Sequence, residues 1–469
     1  MISMSTLAQQ QPVPSDYIIT YEEYLGFVKQ HHPLVKQANL KLNIGESTLL
    51  QARGGFDPKI EVDYDRKKFK GTEYYDRLNA AFKIPTWYGI ELKANFEENS
   101  GEFLDPSLTV PEDGLYSAGV SFSVAQGFLI NERMAALKQA RFYLDQSRAQ
   151  RDISINKVLF ESSKAYFEWI EAYNETLIYE AFLSNAEIRF NGVKRRVEEG
   201  DQAAIDSIEA KITFQNRVLS LEAAQLKLRK SKLKASNYLW INGVPLQIED
   251  ESIPQVPERS VIWNSLAFET EIENRDTLAL HPRLRSLDAR IEQLKVERSL
   301  KRNNLLPKLD LQYNFLTPDY EKVNSLNTAN YKAAFNFSVP LFLRKERGAL
   351  QLANWKLQDV NFERMSTSLT LKNQLFAATA ELSSLTEQNL LITEIVLGTT
   401  QLVEAENRKF DLGESSLFLV NSREQKLIET SLKANNLQFD LLNAHLRLFN
   451  ALGNANRNIL IEQDLLLLD

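Results

Sequence analysis

The sequence predicts a mainly helical chain in which long helical hairpins alternate with amphipathic β-strands, the strands reading as part of a barrel wall. Three observations carry that fold class. Two long stretches lack proline, the segments between them alternate apolar and polar residues, and the order of elements occurs twice.

The 469 residues include 14 prolines, none of them between Pro111 and Pro245 and none after Pro340. Proline removes a backbone donor and clashes with the preceding turn, so these gaps permit very long helices. From Phe128 to Glu199 the only glycine is Gly192, and Ala, Leu, Glu, Lys, Gln and Arg dominate. Roughly 70 residues of helix reach about 100 Å at 1.5 Å per residue, so such a helix needs a partner along its length. After Gly200 a second helix is expected over Ala203–Ile241. Ile205, Ile212, Leu219, Leu226, Leu233 and Trp240 fall seven apart in it, the repeat of coiled-coil packing. Val420, Leu427, Ala434, Leu441 and Leu448 repeat the spacing near the C-terminus. Gly200 and Gly413 each part a long helix from a shorter one, as a C-cap glycine does at a tight turn.

Elsewhere the period is two. Ile60-Val62-Tyr64, Leu78-Ala80-Phe82-Ile84, Ile90-Leu92-Ala94-Phe96 and Ala118-Val120-Phe122-Val124 alternate with polar neighbours. So do Leu309-Leu311-Tyr313-Phe315 and Tyr331-Ala333-Phe335-Phe337-Val339. These read as strands. Tyr74, Tyr75, Trp87, Tyr88, Tyr116, Tyr320 and Tyr331 cluster near strand ends, where interfacial girdles of a barrel would lie.

The repeat ties the elements together. His32-Pro33 recurs as His281-Pro282 and Pro58 as Pro307, at an offset of 249. Phe122-Ser123-Val124 recurs as Phe337-Ser338-Val339 at 215, and Gly200 matches Gly413. The loss of 34 residues in offset fits one additional strand pair in the first half. Matches that stay in order mark an internal duplication.

Composition narrows the function. Charged residues make up 25% and hydrophobic residues 43%, and the mean hydropathy is −0.32. No apolar run nears the roughly 18 residues of a spanning helix. Net charge is −7 with no basic block, which argues against nucleic acid. Cysteine is absent, removing disulfides, thiolate metal sites and cysteine nucleophiles. His31, His32, His281 and His445 show no ligand spacing, and no phosphate loop or nucleophile elbow is present, so no enzyme, metal or cofactor is expected. Met1–Pro14 has no basic start and too short an apolar stretch for a signal peptide. The step from Thr6-Leu7-Ala8 to Gln9-Gln10-Gln11 looks like a cleavage site, which fits either a start trimmed or placed too far downstream, or a cytosolic chain.

On the duplicated order, the HHPLVKQANLKLNIGESTLLQAR segment at 31–53, and EEGDQAAIDSIEA (198–210) with DLGESSLFLVNSREQ (411–425), the chain resembles the TolC-type outer-membrane factor family. The resemblance implies a homotrimer at the outer membrane, its strands shared in one lipid-embedded barrel and its helices in one periplasmic tunnel. It also implies export through a periplasmic adaptor (membrane fusion) protein and an inner-membrane pump of RND or ABC type. An acidic residue six positions after the tip glycine lines the constricted end in that family. Here the first repeat has Asp206, and the second has Leu419 with Asn421 and Ser422 nearby, so the acidic gate is half present. Val197, Gly200, Phe410 and Gly413 become candidate adaptor-docking tips.

The expected partition is 1–16 mature N-terminal segment or signal remnant, 17–56 entry helices, 57–126 strands and 127–244 long hairpin. A linker with an equatorial helix follows at 245–280. The second repeat has an entry helix at 281–306, strands at 307–341 and a long hairpin at 342–453, with 454–469 as the C-terminal segment. The competing reading is a periplasmic or cytosolic coiled-coil or adaptor protein without a channel, which would lack lipid-facing strands.

Overall fold

The computed structural model describes residues 17–266 and 275–453. The N-terminal and C-terminal segments expected at 1–16 and 454–469 lie outside them, as does 267–274 of the linker. In chain order the elements are β1 (Ile18–Ile19), α1 (Tyr21–His31), α2 (Pro33–Arg53), β2 (Lys59–Phe69), β3 (Thr72–Pro85), β4 (Ile90–Ser100) and β5 (Leu115–Ser123). Then come α3 (Glu132–Glu198), α4 (Ala204–Ser236), β6 (Trp240–Ile241), β7 (Val244–Pro245), β8 (Ile253–Pro254) and α5 (Arg259–Ser265). The second repeat supplies α6 (Pro282–Asn303), β9 (Lys308–Thr317), β10 (Tyr331–Ser338), α7 (Arg344–Asp411) and α8 (Leu417–Leu452). The chain divides into two units, one of residues 1–40, 151–282 and 368–469, the other of 41–150 and 283–367.

In the second unit the strands form one antiparallel sheet in the order β10-β9-β5-β4-β3-β2. The extra pair foreshadowed by the change of offset is β3 and β4, because β2 matches β9 after its Pro-Lys and β5 matches β10. The β2–β3 hairpin turns on Lys70 and Gly71, both with positive φ (53° and 86°), the tight turn that suits twisted strands. Helices pack beside the sheet through small apolar clusters: Ile291 and Leu294 of α6 meet Leu357 and Val360 of α7. An Arg364–Asp288 ion pair spans the same two helices.

The first unit has the larger core. Tyr21, Tyr24 and Leu25 of α1, Tyr166, Phe167 and Trp169 of α3, and Leu446 and Phe449 of α8 are all essentially buried there. Each buried phenol is satisfied: Tyr21 Oη lies 2.7 Å from Ser163 Oγ, Tyr24 donates to Ala235 O at 3.0 Å, and Tyr166 donates to Ile19 O at 2.7 Å. The helix before it starts cleanly. Thr20 and Glu23 form a reciprocal capping box on α1. The repeat-equivalent His32 and His281 are buried beside prolines that open α2 and α6, the helix position where a missing N–H costs nothing.

One helix departs from the reading. It ends at Ser236, not Ile241, and Trp240 joins the two-stranded β6–β7 ribbon instead of the heptad seam. Ile205, Ile212, Leu219, Leu226 and Leu233 are 52–70% exposed. The face that α4 buries within the chain carries Ala210, Arg217, Ala224 and Ser231, also seven apart. Ala210, Ala224 and Ser231 let the helix pack closely on its own chain with Arg217 between them, and the large aliphatic residues are left outside. Along α7, Leu369, Phe376, Leu390 and Leu397 form a second strip, 61–68% exposed. By contrast Val420 and Leu427 of α8 are buried.

Candidate functional site

The two interhelical turns share one geometry. At the first, Gly200 N–H donates to Val197 O (3.2 Å) and Asp201 N–H to Arg196 O (2.8 Å). At the second, Gly413 donates to Phe410 O (3.1 Å) and Glu414 to Lys409 O (2.8 Å). Both are Schellman motifs, and the glycines sit at φ +86° and +79°, where a Cβ would be strained. Ser416 caps α8 through its side chain, whereas Ala203 before α4 offers no cap.

The turns lie side by side in the first unit. Val193 and Val197 of α3, Ala210 of α4, and Phe410 and Leu417 of the second hairpin form one cluster, and the Arg196 guanidinium lies 5.5 Å from the Phe410 ring centre. The candidate tip residues Val197 and Phe410 are thus brought together. Leu412 and Phe418 beside them are exposed, an apolar surface that no sequence motif announced.

A polar network ties the hairpins just behind the turns. Glu424 of α8 is 1% exposed and accepts two hydrogen bonds of 3.0 Å from Arg189 of α3. Arg217 of α4 approaches it at 4.0 Å and donates to Gln425 Oε1 at 2.9 Å. Burial lowers the Arg217 pKa from its ordinary value, and the Glu424 charge works against that shift. Asn421 joins in, accepting from Arg189 (3.2 Å) and donating to Glu209 of α4 (3.1 Å). Three helices are therefore coupled through one carboxylate and one amide. Of the expected gate residues only Asn421 enters the network. Among the described residues, the side chains of Asp206, Leu419 and Ser422 enter neither cluster nor network: Asp206 is half-buried in the first turn of α4, and Leu419 and Ser422 are exposed. Glu424 was detectable in principle, as a carboxylate on the Val420–Leu427 stripe that is otherwise apolar.

The sheet has two unlike faces. Register places Phe335, Leu311, Phe122 and Ile90 in one row and Ala333, Tyr313, Val120, Leu92 and Ile84 in the next, with Val62, Ala80 and Phe96 beyond. The opposite face carries Lys332, Asn314, Gly119, Lys93 and Lys83 in one row, and Asp310, Gln312, Ser121, Glu91, Glu97 and Asp63 around it. The polar face is the sheltered one. Ser117 and Asn314 are buried, while Ile60, Phe82, Leu92, Phe335 and Phe337 are exposed. In water that is an inverted sheet; against lipid it is the expected one. Four alternate apolar residues per strand cover about 20 Å of strand length. Exposed Tyr88, Leu129, Leu341 and Phe342 extend the apolar surface at the helix-side ends. Of the aromatic girdle candidates, Trp87 instead stacks on Phe56 at 5.4 Å and packs against the helices. No described helix is long and apolar enough to cross a membrane.

Residues 275–454 match the family described as outer membrane efflux protein. The chain carries an outer membrane efflux protein domain. No curated protein sequence matches it. Among solved structures, the Campylobacter jejuni CmeC outer membrane channel superposes with a TM-score of 0.66 at 13% identity, over 92% of this chain and 85% of that one. The Vibrio cholerae outer membrane protein VceC gives 0.64 at 14% identity, over 92% and 95%. The open-state MtrE channel of Neisseria gonorrhoeae gives 0.65 at 13%, over 92% and 89%. At such identities the likeness establishes the fold, that of the TolC-type channels, and it extends to both halves of the chain. The efflux-protein match lies in the second half of the chain, within that fold.

Proposed function

We propose that the protein is one third of a trimeric outer-membrane channel, the passive exit duct of a tripartite efflux pump or type I secretion system. The observation that carries this is the inverted sheet joined to helical hairpins with unpartnered apolar strips. In a trimer the α4 and α7 strips of neighbouring copies would cover one another. Each large aliphatic side chain so buried would contribute about 1.5–3 kcal/mol. A coiled-coil scaffold would use the same strips but has no need of an apolar outward sheet.

The paired turns around Val197, Gly200, Phe410 and Gly413 are the docking surface for a periplasmic adaptor, which would link the duct to an inner-membrane pump of RND or ABC type. Asp206, Leu419, Asn421 and Ser422 mark the constriction. Three Asp206 carboxylates around one axis would repel one another and attract cations. Replacing Asp206 with Ala is expected to raise leak conductance in planar bilayers and weaken block by multivalent cations; unchanged conductance and block would remove it from the gate.

The assembly itself is tested by light scattering and negative-stain imaging of detergent-extracted protein. A particle of three 53.8 kDa chains that needs detergent is expected. A detergent-independent monomer or dimer would overturn the channel.

A further inference from the structure

The sheet ends on two open edges. β2 and β10 are each exposed along their whole length, and neither has a partner on its outer side among the described residues. In hydrocarbon every unpaired N–H and C=O costs several kcal/mol, so an open edge cannot remain there. Something must pair with both. With all neighbours antiparallel and six strands in the sheet, β2 and β10 run in opposite directions. The β10 edge of one copy therefore meets the β2 edge of another in the antiparallel sense, with apolar residues outward on both. Charge agrees with that pairing. The inward side of β2 carries the carboxylates Glu61, Asp63 and Asp65 in mid-strand, flanked by Lys59 and Lys67, and that of β10 carries Lys332 and no carboxylate.

We infer that the trimer closes an eighteen-stranded barrel by β10–β2 pairing between copies, around a wide, hydrated lumen. This rests on the trimeric reading above and deepens it, because strand number fixes barrel width. Strands about 4.8 Å apart, tilted by about 40°, give a backbone diameter of about 36 Å for eighteen strands and about 24 Å for twelve. Inward side chains take up about 10 Å of either width. The wider lumen then admits a polypeptide helix of about 10–12 Å with its hydration, or bulky hydrophilic solutes.

The lining suits cargo of either sign. Lys83 pairs with Glu61, Arg77 with Asp65 at 3.1 Å, Lys93 with Glu91 at 3.3 Å, and Lys332 with Glu97 at 3.7 Å. Cations and carboxylates are interspersed over the wall in similar numbers, so no single-sign field develops across it. The barrel is a wide conduit without charge selection, and discrimination falls to the helical end and the pump.

The absence of cysteine makes the test clean. Double-cysteine variants combine Ile60→Cys, Val62→Cys or Tyr64→Cys with Phe335→Cys or Phe337→Cys, and are oxidised in the native membrane. At least one pairing is expected to give disulfides between chains, seen as a ladder ending at three times the monomer mass. End-on images of the extracted particle should show a ring near 36 Å across. A disulfide confined within one chain, or a ring near 24 Å, would overturn the inference. So would a trimer by light scattering that forms no strand disulfide in any pairing, an outcome that leaves the trimeric duct standing. A monomer by scattering removes both.

Discussion

At the residue scale, Glu424 is the side chain on which the tip depends. It accepts two hydrogen bonds from Arg189 and lies beside Arg217, whose Nε is buried without a hydrogen-bond partner. Removing one partner of such a group leaves charges stranded, a loss of about 3–5 kcal/mol where burial is complete. Glu424→Ala should therefore cut hydrogen-exchange protection in the first half of α8 and raise channel leak, with Glu424→Gln intermediate. Unaltered exchange would show that the network carries no local stability. His445 gives a pH dependence. It is buried, accepts from Trp263 Nε1 at 3.2 Å, and is pushed down to a pKa of about 4 by burial and then by the Arg259 cation. The native state holds it neutral, so its stabilising effect is complete above the unfolded value near 6.5. That effect is lost as the pH falls from there towards 4, up to about 3 kcal/mol. The melting temperature should drop between pH 7 and pH 5, and His445→Gln should flatten that drop.

At the scale of elements, period was the readable quantity. Alternation at Ile90-Leu92-Ala94-Phe96 specified a two-faced strand, and proline-free helix-forming composition specified α3 and α7. What period could not give is which face is sheltered. Only the assembled sheet puts Ser117 and Asn314 on its sheltered face and leaves Phe82 and Leu92 exposed. The two faces should answer differently to charge. Val120→Lys, in mid-strand on the outward face, is expected to cost about 2–4 kcal/mol in lipid vesicles. Ser121→Lys, on the polar face, should be near neutral. Equal costs in urea unfolding would contradict lipid on the outward side. The heptad of α4 was legible too, but its partner was not. A seven-residue apolar repeat states that a helix packs, and leaves open whether the other helix belongs to the same chain. The C-terminal stripe at Val420 and Leu427 packs within the chain; Ile205 to Leu233 do not.

For the whole molecule, those unpartnered strips and the open strand edges make a lone chain incomplete. Leu219→Glu is expected to lower the detergent-extracted mass from three chains towards one, with helical content by circular dichroism unchanged. A retained trimer would place the subunit contact elsewhere. The paired turns were legible for a related reason. Gly200 and Gly413 are local backbone demands, visible wherever a helix must stop, and they located the interhelical turns. Arg189, Arg217 and Glu424 come from three helices, and no local rule brings them together.

The sequence by itself determined the duplication, the long helices, the six alternating strands and the two glycine turns. Each of these follows from periodicity, proline placement or positive φ, which act over a few residues. Tertiary structure alone decided the rest. It placed the polar face inside the sheet, buried the small-residue face of α4 in place of its heptad of Ile and Leu, and joined Glu424 to arginines 235 and 207 positions away in the chain (424 − 189 and 424 − 217). Those outcomes depend on which surfaces meet, and a chain's local preferences are the same whichever neighbour it finds.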